Sequence, residues 1–148
     1  MATQSIRPSV TFEEVEVGLD LPPLAKHPDM LQLFMFSAIT WDTHRTHWDI
    51  PYSVDVEKLP GILTHGHLQG SFLCQMLSDW IGPEGRLKSI NYQNRANTIA
   101  GDELTCKGRV TGKSEEKGGG LVTCEVWVEK QDGQVTTTGE ATVELPRK

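Results

Sequence analysis

The chain has 148 residues, 37% of them apolar and 23% charged, with 14 Gly and 8 Pro. That length fits one domain, 1–148, able to bury about two thirds of the surface it exposes when unfolded. Fourteen basic against 20 acidic residues leave a net charge of −6, which argues against a nucleic-acid partner and against an anionic membrane surface.

No run approaches the eighteen or so apolar residues needed to cross a bilayer. The opening, Met1-Ala2-Thr3-Gln4-Ser5-Ile6-Arg7-Pro8, lacks the apolar stretch of a secretory signal. Cys74, Cys106 and Cys124 are an odd number with no Cys-x-x-Cys spacing. They are expected to be small buried hydrophobes rather than a disulfide framework or a cysteine zinc site. A soluble cytoplasmic protein is the expectation.

In chain order, the first element predicted is a short helix over 28–40, carrying Met30, Leu31, Leu33, Phe34 and Phe36. A polar block follows, Trp41-Asp42-Thr43-His44-Arg45-Thr46-His47-Trp48-Asp49, and then Pro60-Gly61-Ile62-Leu63-Thr64-His65-Gly66-His67. From about residue 64 to 81 the apolar residues Leu68, Phe72, Met76 and Trp80 recur every four positions, an amphipathic helix of about 18 residues and roughly 27 Å. Gly82-Pro83 ends it. Gly70, Ser71 and Cys74 on this helix are small enough for another backbone to approach.

Four strands are predicted after the helix. Residues 87–96 are a less regular candidate. Residues 103–110, 121–129 and 135–145 alternate apolar and polar, as half-solvated antiparallel strands do. The last strand is expected to face inward through Val135, Ala141, Val143 and Leu145. Asp132-Gly133 suits a tight hairpin turn, and 114–120, with three successive glycines, reads as a flexible hairpin loop. One long helix before a run of antiparallel strands makes an α+β fold with the sheet folded over the helix. Its open sheet edges point to a homodimer.

The chemistry gathers in the polar block. Asp42 and His47 are five apart, about 140° around a helix and on opposite faces of a strand, so they converge only if the chain turns between them. A carboxylate beside an imidazole moves protons near neutral pH. The same spacing also suits loop residues without a function.

The run Phe36-Ser37-Ala38-Ile39-Thr40-Trp41-Asp42-Thr43-His44-Arg45-Thr46-His47-Trp48-Asp49, then Tyr52, Pro60-Gly61 and Thr64-His65-Gly66, resembles the MaoC-like hydratase/dehydratase family. The similarity is strongest to its branch of 3-hydroxyacyl-thioester dehydratases and mesaconyl-CoA hydratases. Phe12-Glu13-Glu14-Val15-Glu16-Val17-Gly18 and Ala100-Gly101-Asp102-Glu103-Leu104 extend the likeness to roughly residues 10–113. The resemblance implies a hot-dog fold, paired chains with the active site near their interface, and an acyl thioester of coenzyme A or of an acyl-carrier protein as substrate. It implies addition of water to a 2-enoyl group, or its removal from a 3-hydroxyacyl group, without a cofactor.

Carried over, Asp42 and His47 match the catalytic pair, and Gly66 matches the glycine whose backbone N–H holds the thioester oxygen. His65, His44 and Arg45 border these positions and are assigned to substrate binding. Two departures stand out: His44-Arg45 occupies a place where many members have Asn-Pro, and His67 one that is commonly apolar or Pro. The residues leave open which of Asp42 and His47 is base and which acid.

Three other readings use the same residues. His44, His47, His65 and His67 with Asp42 or Asp49 offer ligands for zinc or iron, although His65 and His67 cannot both point inward from a regular helix. A hot-dog thioesterase would hydrolyse the thioester instead. A partner-dependent subunit of a heteromer would bind acyl groups without turning them over alone. No Gly-x-Gly-x-x-Gly or Walker loop is present, so neither a nicotinamide cofactor nor nucleotide hydrolysis is expected.

Overall fold

The alternating segments become one antiparallel sheet of five strands, β1 (Leu24–Lys26), β2 (Arg86–Asn94), β3 (Leu104–Glu116), β4 (Gly119–Lys130) and β5 (Val135–Leu145). Their order across the sheet is β1-β3-β4-β5-β2. The structure, a computed structural model, describes residues 9–116 and 119–148. The reading of residues 1–8 and the tip of the 114–120 loop lie outside the described residues.

Every second residue of the long strands faces one side, so Leu104, Cys106 and Val110, then Val122, Cys124, Val126 and Val128, and finally Ala141, Val143 and Leu145 form a continuous buried face. Two details depart from the alternation. Between β4 and β5 the partner of Val128 is Thr137 but that of Glu129 is Val135, so Thr136 is an extra residue bulged into β5. Val135 is thereby turned outward and exposed, while Thr136 and Thr137 are both buried. The expected loop at 114–120 is mostly strand: β3 and β4 stay paired as far as Glu116 and Gly119. Gly120 has a packing role there, because a Cβ on it would lie 2.0 Å from the Phe12 ring.

The long helix, α2 (Gly66–Ile81), lies against this apolar face. Its stripe of Leu68, Phe72, Leu73, Met76, Leu77, Trp80 and Ile81 is buried with the strand residues in one core. Gly82 closes the helix at φ 72°, donating its N–H to Ser78 O at 3.2 Å. The space at Gly70 is filled by a side chain rather than a backbone, since a Cβ there would meet the Tyr92 ring of β2 at 2.2 Å. Gln69 crosses the helix–sheet interface, donating to Thr98 Oγ1 at 3.1 Å and accepting from Thr136 and Thr137 hydroxyls at 2.9 Å each. A buried amide with its bonds made is tolerated in a core.

The shorter helix, α1 (Met30–Thr40), starts on Asp29, whose Oδ1 accepts the Gln32 N–H at 2.7 Å. Its sequence is apolar nearly all round, yet only Leu33 and Ser37 are buried. Leu31, Phe34, Met35 and Ile39 are exposed. No helix among the described residues is long and apolar enough to cross a membrane. The cysteines are free, and burial pushes the thiols of Cys106 and Cys124 up to about 12.

Candidate active site

The turn that Asp42 and His47 need is made at the end of α1. Trp41 adopts the left-handed conformation, φ 57° and ψ 30°, unusual for a bulky residue and a local cost of about 1–2 kcal/mol. This reverses the chain so that the Asp42 N–H returns to Ser37 O at 3.0 Å. Asp42 Oδ1 then accepts the His44 N–H at 3.2 Å, leaving Oδ2 to face the histidines. A 3-10 turn, Arg45–His47, brings the second member around.

The segment preceding α2 is pinned from both sides. Leu63 N–H donates to Thr46 O at 2.9 Å, Thr64 N–H to Thr98 O at 2.8 Å, and Ala100 N–H to Ile62 O at 2.8 Å. This brings Leu63 O to 2.7 Å from His47 Nδ1. A carbonyl only accepts, so Nδ1 carries the hydrogen and Nε2 of the neutral ring keeps its lone pair. That Nε2 lies 3.8 Å from Asp42 Oδ2.

His65 stands behind the pair. Its side chain is 2% exposed, its ring is stacked on that of His47 with centroids 3.7 Å apart and planes 17° apart, and Phe36 meets it edge-on. Its Nε2 lies 2.9 Å from Ser37 Oγ and 4.0 Å from Asp42 Oδ2. Burial, followed by the neighbouring His47, pushes its pKa down to about 4, so the ring is neutral at pH 7.

The other assigned residues scatter around this centre. Gly66 is the first residue of α2, and no acceptor meets its N–H among the described residues. A Cβ on Gly66 would lie 2.0 Å from Asn94 Nδ2, so the glycine makes room for Asn94. His44 Nδ1 meets Thr46 Oγ1 at 2.6 Å. Arg45 is engaged with Asp49, donating from Nε and Nη2 to Oδ2 at 2.9 and 2.7 Å, and its guanidinium lies 4.5 Å from the Tyr52 ring centre. This pairing holds the Asp49 carboxyl below its ordinary range. His67 points away, to Tyr92 Oη at 3.2 Å. Ser37 is not among the residues the sequence marks for the site, although it is the one polar residue on the buried side of α1, four positions after Leu33.

Asp42, His47 and His65 are close enough to suggest a metal, with donor atoms all within 4.8 Å. The stacked rings oppose it. A ring nitrogen binds a metal in the plane of its ring, and planes 17° apart with centroids 3.7 Å apart do not meet within bonding distance of one ion. The geometry suits a shared water better, because a gap of 3.8 Å lets one water bond both Asp42 Oδ2 and His47 Nε2.

Comparison with known proteins places these residues in a family. The family model for hydroxyacyl-thioester dehydratase type 2 matches residues 22–101, more than half of the chain. A 49-residue stretch is 43% identical to the mesaconyl-C(4)-CoA hydratase of Chloroflexus aurantiacus, covering 33% of this chain and 18% of that protein. Over 140 residues the chain is 26% identical to the (R)-specific enoyl-CoA hydratase of Aeromonas caviae, covering 93% of this chain and 100% of the relative. The R-hydratase PhaJ1 of Pseudomonas aeruginosa, at 21% identity, superposes with a TM-score of 0.85 over 95% of this chain and 88% of that one. The chain thus belongs to the hydroxyacyl-thioester dehydratase type 2 family of MaoC-like hydratases and dehydratases, and its helix and antiparallel sheet are the hot-dog fold.

Proposed function

We propose that this chain adds water across the double bond of a 2-enoyl thioester of coenzyme A or of an acyl-carrier protein, and catalyses the reverse dehydration. The observation that carries this reading is the pinned tautomer of His47 facing Asp42: Nδ1–H is committed to Leu63 O, and the free Nε2 looks across 3.8 Å at a carboxylate oxygen. The family supports it, as do the relatives named for hydration of mesaconyl-C(4)-CoA and enoyl-CoA.

In hydration, a water held by both groups gives one proton to His47 Nε2 while its oxygen bonds to C3 of the enoyl group. The electron pair of the double bond moves onto C2 and the thioester carbonyl. The Gly66 N–H, at the positive end of α2, stabilises the oxygen that gains charge. A proton passed from the Asp42–His47 pair to C2 completes the addition and restores the pair. His65, His44 and Arg45 border the site, the last through its bond to Asp49, which braces the turn that carries His47. The exposed apolar side of α1 and the open sheet edges support function as a pair of chains.

The test is the loss of enoyl absorbance with short, medium and branched 2-enoyl-CoA substrates, including mesaconyl-CoA. Decay with any of them is the expected result. No decay across that panel and the matching carrier-protein thioesters, with release of free thiol instead, would replace hydration by thioester hydrolysis.

A further inference from the structure

His65 occupies a place where an apolar residue would cost the fold less. It is almost completely buried between Phe36 and His47, and its Nδ1 has no hydrogen-bond partner among the described residues. A buried polar atom left unpaired is a penalty that a phenylalanine or leucine would avoid. What the imidazole offers in return lies at its other nitrogen. Nε2 meets Ser37 Oγ at 2.9 Å and faces Asp42 Oδ2 at 4.0 Å. At His47 the Leu63 carbonyl claims the ring hydrogen for Nδ1, but at His65 no acceptor meets Nδ1 and the carboxylate favours hydrogen on Nε2, which then donates to Ser37 Oγ.

Ser37 is tied to Asp42 by a second route. Its carbonyl accepts the Asp42 N–H at 3.0 Å while its hydroxyl holds His65. Asp42 is thus held at its backbone N–H by Ser37 O and at Oδ1 by the His44 N–H, while Oδ2 faces His65 Nε2 at 4.0 Å. We propose that His65 is a positioning residue of this site: its Nε2–H, anchored on Ser37, keeps the outer oxygen of Asp42 turned toward His47. The proposal rests on the reading of Asp42 and His47 as the reacting pair, and it adds a third side chain whose role is orientation rather than proton transfer.

Two variants separate this role from packing. His65→Phe keeps a ring against His47 and removes the nitrogen, whereas His65→Gln removes the ring and restores an N–H near the place of Nε2. The expected result is a fall of at least tenfold in kcat for His65→Phe with KM within twofold of wild type, and recovery to within about threefold in His65→Gln. A packing role would reverse that order. The second measurement needs no turnover: ring nitrogen NMR of histidine-labelled protein is expected to show His65 with its hydrogen on Nε2, and this signal should shift in Asp42→Asn and in Ser37→Ala. Hydrogen on Nδ1, or an Nε2–H indifferent to Asp42→Asn, would overturn the proposal, whether or not the His65 variants fold. A wild type with the expected NMR pattern but no hydration of any enoyl thioester would instead count against the proposed reaction.

Discussion

Asp42 reaches His47 because the chain reverses at Trp41, and the spacing of five already required such a reversal. The spacing makes a turn the condition for their meeting, but does not reveal that a tryptophan takes the left-handed backbone to make it. The part played by Ser37 was hidden for a different reason. Its partner lies 28 positions away on another element, and no local pattern links a helix serine to a distant histidine. His65 also makes stability depend on pH. Its folded pKa is depressed from 6.5 to about 4 by burial, so between those values the unfolded chain binds the proton that the folded chain refuses. Stability therefore falls as pH drops from 6.5 toward 4. Urea midpoints measured at pH 7, 6 and 5 should decline, and His65→Phe should flatten that decline.

At the scale of elements, the apolar stripe of α2 and the alternation of β3, β4 and β5 were legible because each face repeats over many residues. The three-residue β1 gave no such signal, and the bulge at Thr136 depends on pairing with β4 that no single strand reveals. Small residues on α2 suggest room for a backbone, whereas Tyr92 fills that room at Gly70. Gly70→Ala should accordingly destabilise the protein by about 1–3 kcal/mol, although alanine favours helix by up to about 1 kcal/mol. Chemical denaturation of Gly70→Ala would detect it, and adding Tyr92→Ala should remove the alanine's own penalty. At the helix start, likewise, Asn94 rather than open space accounts for Gly66.

Two of the three cysteines are buried as the sequence suggested, both in the sheet face, and the third lies on α2. Cys106 and Cys124 lie in the core with thiols held at about 12, and Cys74 is half-buried. A thiol reagent at pH 7 should label at most one cysteine in the native protein and three after denaturation. The outer side of α1 is the other feature at this scale. An amphipathic helix presents a polar face to water, but this one presents Leu31, Phe34, Met35 and Ile39. In the proposed pairing a second chain covers such surface, so sedimentation equilibrium should return twice the 16.5 kDa of one chain. A monomer at micromolar concentration would leave that face without the proposed cover.

The pair at the centre of the site is tested most directly by comparing hydration rates of wild type, Asp42→Asn and His47→Ala with the best 2-enoyl thioester. The Asp42 side chain is 37% exposed and that of His47 12%, so circular dichroism and unfolding midpoints accompany each rate to show that the variant is folded. The expected result is a loss of about 10²-fold or more in kcat for each variant. Folded variants that keep wild-type rates would contradict the assignment of Asp42 and His47.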